Sequence, residues 1–167
     1  MYNMPLLMEK EITTNRIILT NYEIFRALDD PIRGKIVQLL HKKQLNVEQI
    51  TRRLKKFGYK KAVTTIRHHI EILKNSGLIE ISKIEEARGG ITKYYGTSTK
   101  LLDFTLPADF DKNYSKLISK TSLKLGKIVG PISKNFSKTR KIQQINYNNF
   151  IIMEIINRAM TNLLEKK

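Results

Sequence analysis

Residues 64–79, TTIRHHIEILKNSGLI, constrain the fold of this chain more than any other stretch. Ile66, Ile70 and Leu73 recur at i, i+4 and i+7, the spacing that places them on one face of an α-helix. Thr64, Arg67, His68, Glu71 and Lys74 fall on the opposite face. Ser76-Gly77-Leu78 stops the helix, and Gly77 suits the left-handed position after the last turn. Such a helix buries one side and offers basic and hydrogen-bonding groups on the other.

The neighbouring segments have their own punctuation. Asp30 can cap a helix whose first residue is Pro31, and Ile36, Leu39 and Leu40 give that helix an apolar stripe. Asn46 caps the next helix, with Gln49 three residues on to close a capping box. Val47, Ile50 and Leu54 form its inner face. Leu78 to Ile84 and Ile91 to Gly96 are expected as two strands, with Glu85-Glu86-Ala87-Arg88-Gly89-Gly90 as the turn between them. The expected order is helix, helix, helix, hairpin.

In that order, FRALDDPIRGKIVQLL (25–40), LNVEQITRRL (45–54), TTIRHHIEILKNSGLI (64–79) and KYYGTS (93–98) resemble the winged helix-turn-helix domain of ArsR-like prokaryotic transcription regulators. The resemblance covers residues 25–98. It implies that the third helix reads DNA and that the hairpin wing lies along the backbone or minor groove. By that likeness Thr64, Thr65, Arg67 and His68 stand at reading positions and Arg88 at the wing tip. Glu71, Lys74, Lys60, Lys61 and Lys93 complete the expected DNA-binding set. An outward helix face of this chemistry is what a major-groove reader needs. One departure is plain: KKFGYKKAV (55–63), between the second and third helices, is about five residues longer than the family pattern, which bears on the tilt of the reading helix.

Charge agrees with a polyanionic partner. The chain carries 31 Lys+Arg against 15 Asp+Glu, a net charge of +16. Affinity of so basic a chain for nucleic acid falls steeply with salt. The excess is uneven: residues 1–20 are neutral, 21–100 carry +9 and 101–167 carry +7. A basic surface also serves solubility or a membrane face, but the helical pattern above favours double-stranded DNA.

Other classes find less support. With no cysteine there is no disulfide and no thiolate metal site, although many ArsR-like repressors sense metals that way. His68 and His69 are adjacent, point about 100° apart on a helix and cannot clamp one ion together. No metal or other cofactor is expected. His69 lies near the inner edge of its helix and is expected to pack or touch a phosphate, while His68 faces outward. No glycine-rich phosphate loop, nucleophile elbow or apolar carboxylate pair points to an enzyme. Absence of an 18-residue apolar run and of a signal peptide points to a cytoplasmic, nucleoid-associated protein without a membrane partner.

Residues 101–107 are expected as a linker after the winged domain (21–100), and 108–167 as two C-terminal helices; 1–20 form an extension whose Ile17-Ile18-Leu19 has no assigned place. A helix is expected from Asp109 to Val129, stopped by Gly130-Pro131. Tyr114, Leu117, Ile118, Leu125 and Ile128 line its apolar face. Lys112, Lys116, Lys120, Lys124 and Lys127 line the other, and Leu123 falls unexplained among them. Without carboxylates to relieve their repulsion, the first four lysines are candidate contacts to DNA phosphates.

From Ile142 to Leu164 the pattern changes. Ile142, Ile145, Asn149, Ile152, Ile156, Ala159 and Leu163 follow alternating 3-4 spacing, and Phe150, Met153, Met160 and Leu164 widen the stripe. So wide a stripe calls for a partner, and a homodimer through this helix is expected, with Ile142, Ile145, Asn149, Ile152, Ile156 and Leu163 in the seam and Asn149 near the axis. Helix Tyr22–Leu28 is a further candidate for the same interface. The whole reading is a mostly α chain with a small β-hairpin wing: a winged helix-turn-helix domain and a C-terminal helical dimerisation segment. Its expected function is sequence-specific binding of an inverted repeat as a transcription regulator. An architectural DNA-binding protein of low sequence specificity is the alternative, separated from it by a footprint.

Overall fold

The first three described helices are all capped, and each cap is a specific side chain. In α1 (Tyr22–Leu28) the Asn21 carboxamide oxygen accepts from Ile24 N at 2.8 Å. In α2 (Pro31–Leu40) Asp30 Oδ1 accepts from Ile32 N at 2.7 Å, with Pro31 at the position where a missing N–H costs nothing. In α3 (Val47–Lys56) the capping box is complete. Gln49 N donates to Asn46 Oδ1 at 2.9 Å and Asn46 N donates to Gln49 Oε1 at 3.0 Å. The computed structural model describes residues 19, 21–87, 90–134 and 142–165, without the side chains of Ala87 and Ile142. Arg88, the turn glycine Gly89, the Ile142 side chain and the 17–18 part of the N-terminal apolar stretch lie outside the described residues.

The chain forms two compact units, Thr20–Phe110 and a second one made of Met1–Leu19 with Asp111–Lys167. In the first, α4 (Val63–Asn75) follows α3, and then come the antiparallel strands β1 (Glu80–Ala87) and β2 (Gly90–Gly96). The core is the meeting of α2, α3 and α4. Ile36, Val37 and Leu40 from α2, Ile50 and Leu54 from α3, and Ile66, Ile70 and Leu73 from α4 are fully buried. These include the spaced positions expected to point inward except Leu39, which is buried but less completely, and Val47, which is half-buried against the core; truncating any one of the large side chains to alanine costs about 2–5 kcal/mol.

Two glycines close the helices on either side of the turn. Gly77 takes φ +74°, so Leu78 N donates to Leu73 O at 3.0 Å and seals the end of α4. Gly58 takes φ +87°, and Tyr59 N donates to Leu54 O at 3.1 Å in the same manner at the end of α3. Tyr59 then packs against the core. The connection expected over 55–63 is thus shorter, 57–62, because Lys55 and Lys56 belong to α3 and Val63 to α4, and it begins with this helix stop.

Three expectations are corrected. The first strand starts at Glu80, because Leu78 and Ile79 are drawn into the core, and it runs to Ala87. Glu85 and Glu86 are thus strand residues, paired with Thr92 and Ile91, and only 88 and 89 remain between the strands. In the strand Glu85 accepts hydrogen bonds from Lys83 and Tyr94. In the second unit, Gly130-Pro131 does not end the helix: α5 runs Phe110–Lys134 with Pro131 inside it. Gly130 has no Cβ to clash with the proline ring, and the carbonyl left without a donor belongs to an exposed turn that water can reach.

The last helix, α6, spans Ile142–Glu165. None of its described side chains is buried, and α5 has no buried residue either. Residues 101–107 join neither helix nor strand. No described helix is long and apolar enough to cross a membrane.

Asn46 carries more than its own helix, since it also hydrogen-bonds Tyr94 of β2. Asn46→Ala should cost about 1 kcal/mol and lower the melting temperature by about 4–8 °C. A thermal melt unchanged by the substitution would show that the box contributes nothing.

Candidate nucleic-acid interface

The seat of α4 decides what its outer face presents. Ile66, His69, Ile70 and Leu73 are buried, so Thr64, Arg67, His68 and Glu71 stand exposed together. Thr65 and Lys74 are half-buried at the margins of that face. Lys60 and Lys61, exposed on the preceding turn, add charge at its N-terminal end. Glu71 and Lys74 pair at 2.8 Å. Arg67 lies 3.7 Å from Glu48 of α3, both side chains more than half exposed, a contact too solvated to hold the guanidinium firmly.

One feature of this end escaped the sequence reading. Residue 62 is alanine, and no side chain caps α4. The N–H groups of its first turn therefore face outward without a side-chain acceptor, a disposition that favours an anion. The signal was in the sequence: Asn21, Asp30 and Asn46 cap the first three helices, and position 62 breaks the series.

The wing is tied to the helices at its root. Leu45 and Tyr95 exchange backbone hydrogen bonds, Leu45 N to Tyr95 O at 3.1 Å and Tyr95 N to Leu45 O at 2.9 Å. The Thr97 hydroxyl donates to Leu78 O at 2.7 Å. Along the strands the register separates two faces. One holds Lys83, Glu85 and Tyr94, joined to each other and to Asn46. The hydrogen bond from Lys83 is the main cause that lowers the Glu85 pKa, and the bond to Glu85 raises that of Tyr94. The other face holds exposed Ile84, Glu86, Ile91 and Lys93, so Lys93 stands apart from the Lys83–Glu85 pair. Arg88 lies outside the described residues.

His69 is the one strongly buried titratable group among the described residues, 7% exposed. Its Nε2 lies 3.9 Å from Asp30 Oδ2, while its Nδ1 has no hydrogen-bond partner. Burial lowers its pKa below the usual 6.5, and the Asp30 carboxylate opposes that shift only in part. His69 is thus a packing residue beneath the exposed face, and His68 is the histidine on it.

Residues 28–82 match the family model of a helix-turn-helix domain. That segment contains α2, α3, α4 and the start of β1, and the hairpin that follows makes the fold a winged helix-turn-helix. The chain is similar to a solved homodimeric winged helix-turn-helix DNA-binding domain from Mycobacterium bovis, a possible ArsR-family transcriptional regulator, at 20% identity over 62% of this chain and 80% of that one, with a TM-score of 0.34. It is also similar to an ArsR-like transcriptional regulator from Rhodococcus sp. RHA1, at 17% identity over 70% of this chain and 92% of that one, with a TM-score of 0.34. No curated protein matches.

The sign of a pH effect follows from His69. Its folded pKa lies below the unfolded value, so the unfolded chain takes up the proton first as pH falls. The stability it contributes is complete above about pH 6.5 and is lost as pH drops through the window beneath that value. The stability difference between wild type and His69→Gln, measured by denaturant unfolding, should shrink between pH 7.5 and pH 5.5. A pH-independent difference would place the proton elsewhere.

Proposed function

We propose that this chain is a sequence-specific, double-stranded DNA-binding transcription regulator of ArsR type, acting in the cytoplasm on the nucleoid as a homodimer on an inverted-repeat site. The observation that carries this reading is the face of α4. Its inner side is locked into the core, and Thr64, Arg67 and His68 stand outward at the end of a helix-turn-helix. Arg67 offers the planar fork that pairs with guanine, and breaking its solvated contact with Glu48 costs little. Lys60, Lys61 and the uncapped first turn of α4 take phosphates on one side, and Lys93 with Arg88 takes them on the wing. Thr65, Glu71 and Lys74 border the reading face. Lys112, Lys116, Lys120 and Lys124 repeat every fourth residue along α5 and would add phosphates beyond the core site.

The partner subunit is argued from α6. Only Glu154, Arg158 and Glu165 are charged among residues 142–165, and Glu154 pairs with Arg158 at 2.9 Å. Ile145, Phe150, Met160 and Leu163 remain exposed apolar surface. Such a helix gains by meeting its copy, with Ile142, Ile145, Ile152, Ile156 and Leu163 around Asn149. Two domains joined in this way would set two reading helices about 34 Å apart, one helical turn of DNA.

Arg67→Ala should cost about 1–3 kcal/mol at a cognate site and relax base preference there, measured by competition against random duplex. Equal weakening on both duplexes reduces Arg67 to a phosphate contact. For the dimer, Ile152→Asp with Ile156→Asp should yield a monomer by light scattering, and operator affinity should fall far more than half-site affinity. A wild-type chain that is monomeric at micromolar concentration sinks the dimer. Asn149→Leu should raise thermal stability while permitting higher oligomers, because a lone polar residue in an apolar seam fixes subunit number at a cost in stability. A variant that is less stable yet strictly dimeric puts Asn149 outside the seam.

A further inference from the structure

A cleft of about 480 Å³ lies between the outer side of α3 and the C-terminal end of α2. Leu39 and Phe57 give it apolar surface, and Lys43, Arg52, Arg53 and Lys56 give it four positive charges. Among the described residues, no carboxylate pairs with any of these four. Gln49 adds amide N–H donors, because its oxygen is occupied by the Asn46 N–H of the capping box. Lys35 Nζ sits 4.1 Å above the centroid of the Phe57 ring, and Phe57 is still 54% exposed. An aromatic ring with a cation on one face and open space beside it is a stacking surface for a second flat ring.

Most of the cleft points away from the reading face. Glu48, which contacts Arg67 of α4, marks the flank of α3 that faces α4. Arg53 and Phe57 lie roughly 140–180° around α3 from Glu48, toward Leu39 of α2, Lys56 lies about 80° away, and Arg52, one turn on from Glu48, forms the edge of the cleft nearest α4. The volume falls in the range of small-molecule sites, about 300–1,000 Å³. Two guanidinium forks suit phosphate oxygens, which they bind in pairs.

We propose that this cleft is a binding site for a nucleotide-like anion, a flat ring bearing two or more phosphate charges. The phosphates meet Arg52, Arg53, Lys43 and Lys56, and the ring lies against Phe57. This goes beyond the DNA-reading role and stands apart from it. A backbone phosphate of bound DNA has the same chemistry without the free ring, and the test separates the two.

The test is calorimetric titration of the full chain with ATP, and separately with pyrophosphate, at one ionic strength. ATP should bind saturably and pyrophosphate more weakly. The double variant Arg53→Gln/Lys56→Gln should lose about tenfold or more in ATP affinity, one charge-assisted contact or more, with its melting temperature and its DNA affinity unchanged. Arg26→Gln/Lys55→Gln, an equal loss of charge outside the cleft, should leave ATP binding as it was. Phe57→Leu keeps every charge and should reduce the preference for ATP over pyrophosphate to what the third phosphate alone contributes. The proposal is overturned by the absence of saturable ATP binding at millimolar concentration, by an equal loss in the charge control, or by an unchanged preference in Phe57→Leu. A parallel loss of DNA affinity in Arg53→Gln/Lys56→Gln also overturns it, since the cleft is then part of the DNA contact.

Discussion

The burial of Ile66, Ile70 and Leu73 against α2 and α3 is the interaction on which the rest of the first unit depends. A helix held by three fully buried side chains at i, i+4 and i+7 cannot rotate about its axis without opening a cavity. Its outer residues therefore have fixed directions before any ligand arrives. Preorganisation of this kind lowers the entropic cost of binding, because long side chains such as Arg67 start from a rigid platform. Residues that never meet the solvent thus decide which residues do.

His69 shows the same dependence from a less comfortable position. It occupies the inner edge of α4, where an apolar side chain would pack without an orphaned nitrogen. Its nearest charge, Asp30, is at once the cap of α2 and a partner of Arg33 at 3.8 Å. The carboxylate is shared among three tasks, so it neither charges the histidine nor leaves it wholly alone. A single group thereby links the start of α2 with the middle of α4.

Much of this was legible in the sequence, and the failures have physical causes. Helix spacing over α2, α3 and α4 and the caps at Asp30 and Asn46 are local properties, and they appear where the pattern places them. Gly77 was legible for the same reason. Strand boundaries were not, because tertiary burial claims Leu78 and Ile79, and no local preference records that demand. Glu85 and Glu86 resemble turn residues until Tyr94 of the opposite strand joins Lys83, two residues back on β1, beside the first of them. Pro131 resembles a stop until the absent Cβ of Gly130 and the exposure of the turn are considered together. At the candidate interface, the outward set on α4 follows from periodicity alone. The cations of α3 do not advertise a shared cleft, since Lys43 reaches them only through the fold.

The attachment of the wing has a mechanical consequence. β1 is eight residues long, so the hairpin is an arm of about 25 Å at the usual rise per residue. The Leu45–Tyr95 bridge sits near one end of that arm, at its root. A lever clamped at one end magnifies angular error: a tilt of about 5° at the bridge moves the far end by about 2 Å, comparable with the tolerance of a hydrogen bond. The residues that set the aim of the wing are thus the small group at its hinge, Leu45, Tyr95, Thr97 and Leu78, none of which belongs to the proposed contact set. Substitutions there would act as changes of alignment at a distance, leaving the chemistry of the contacting surface as it was.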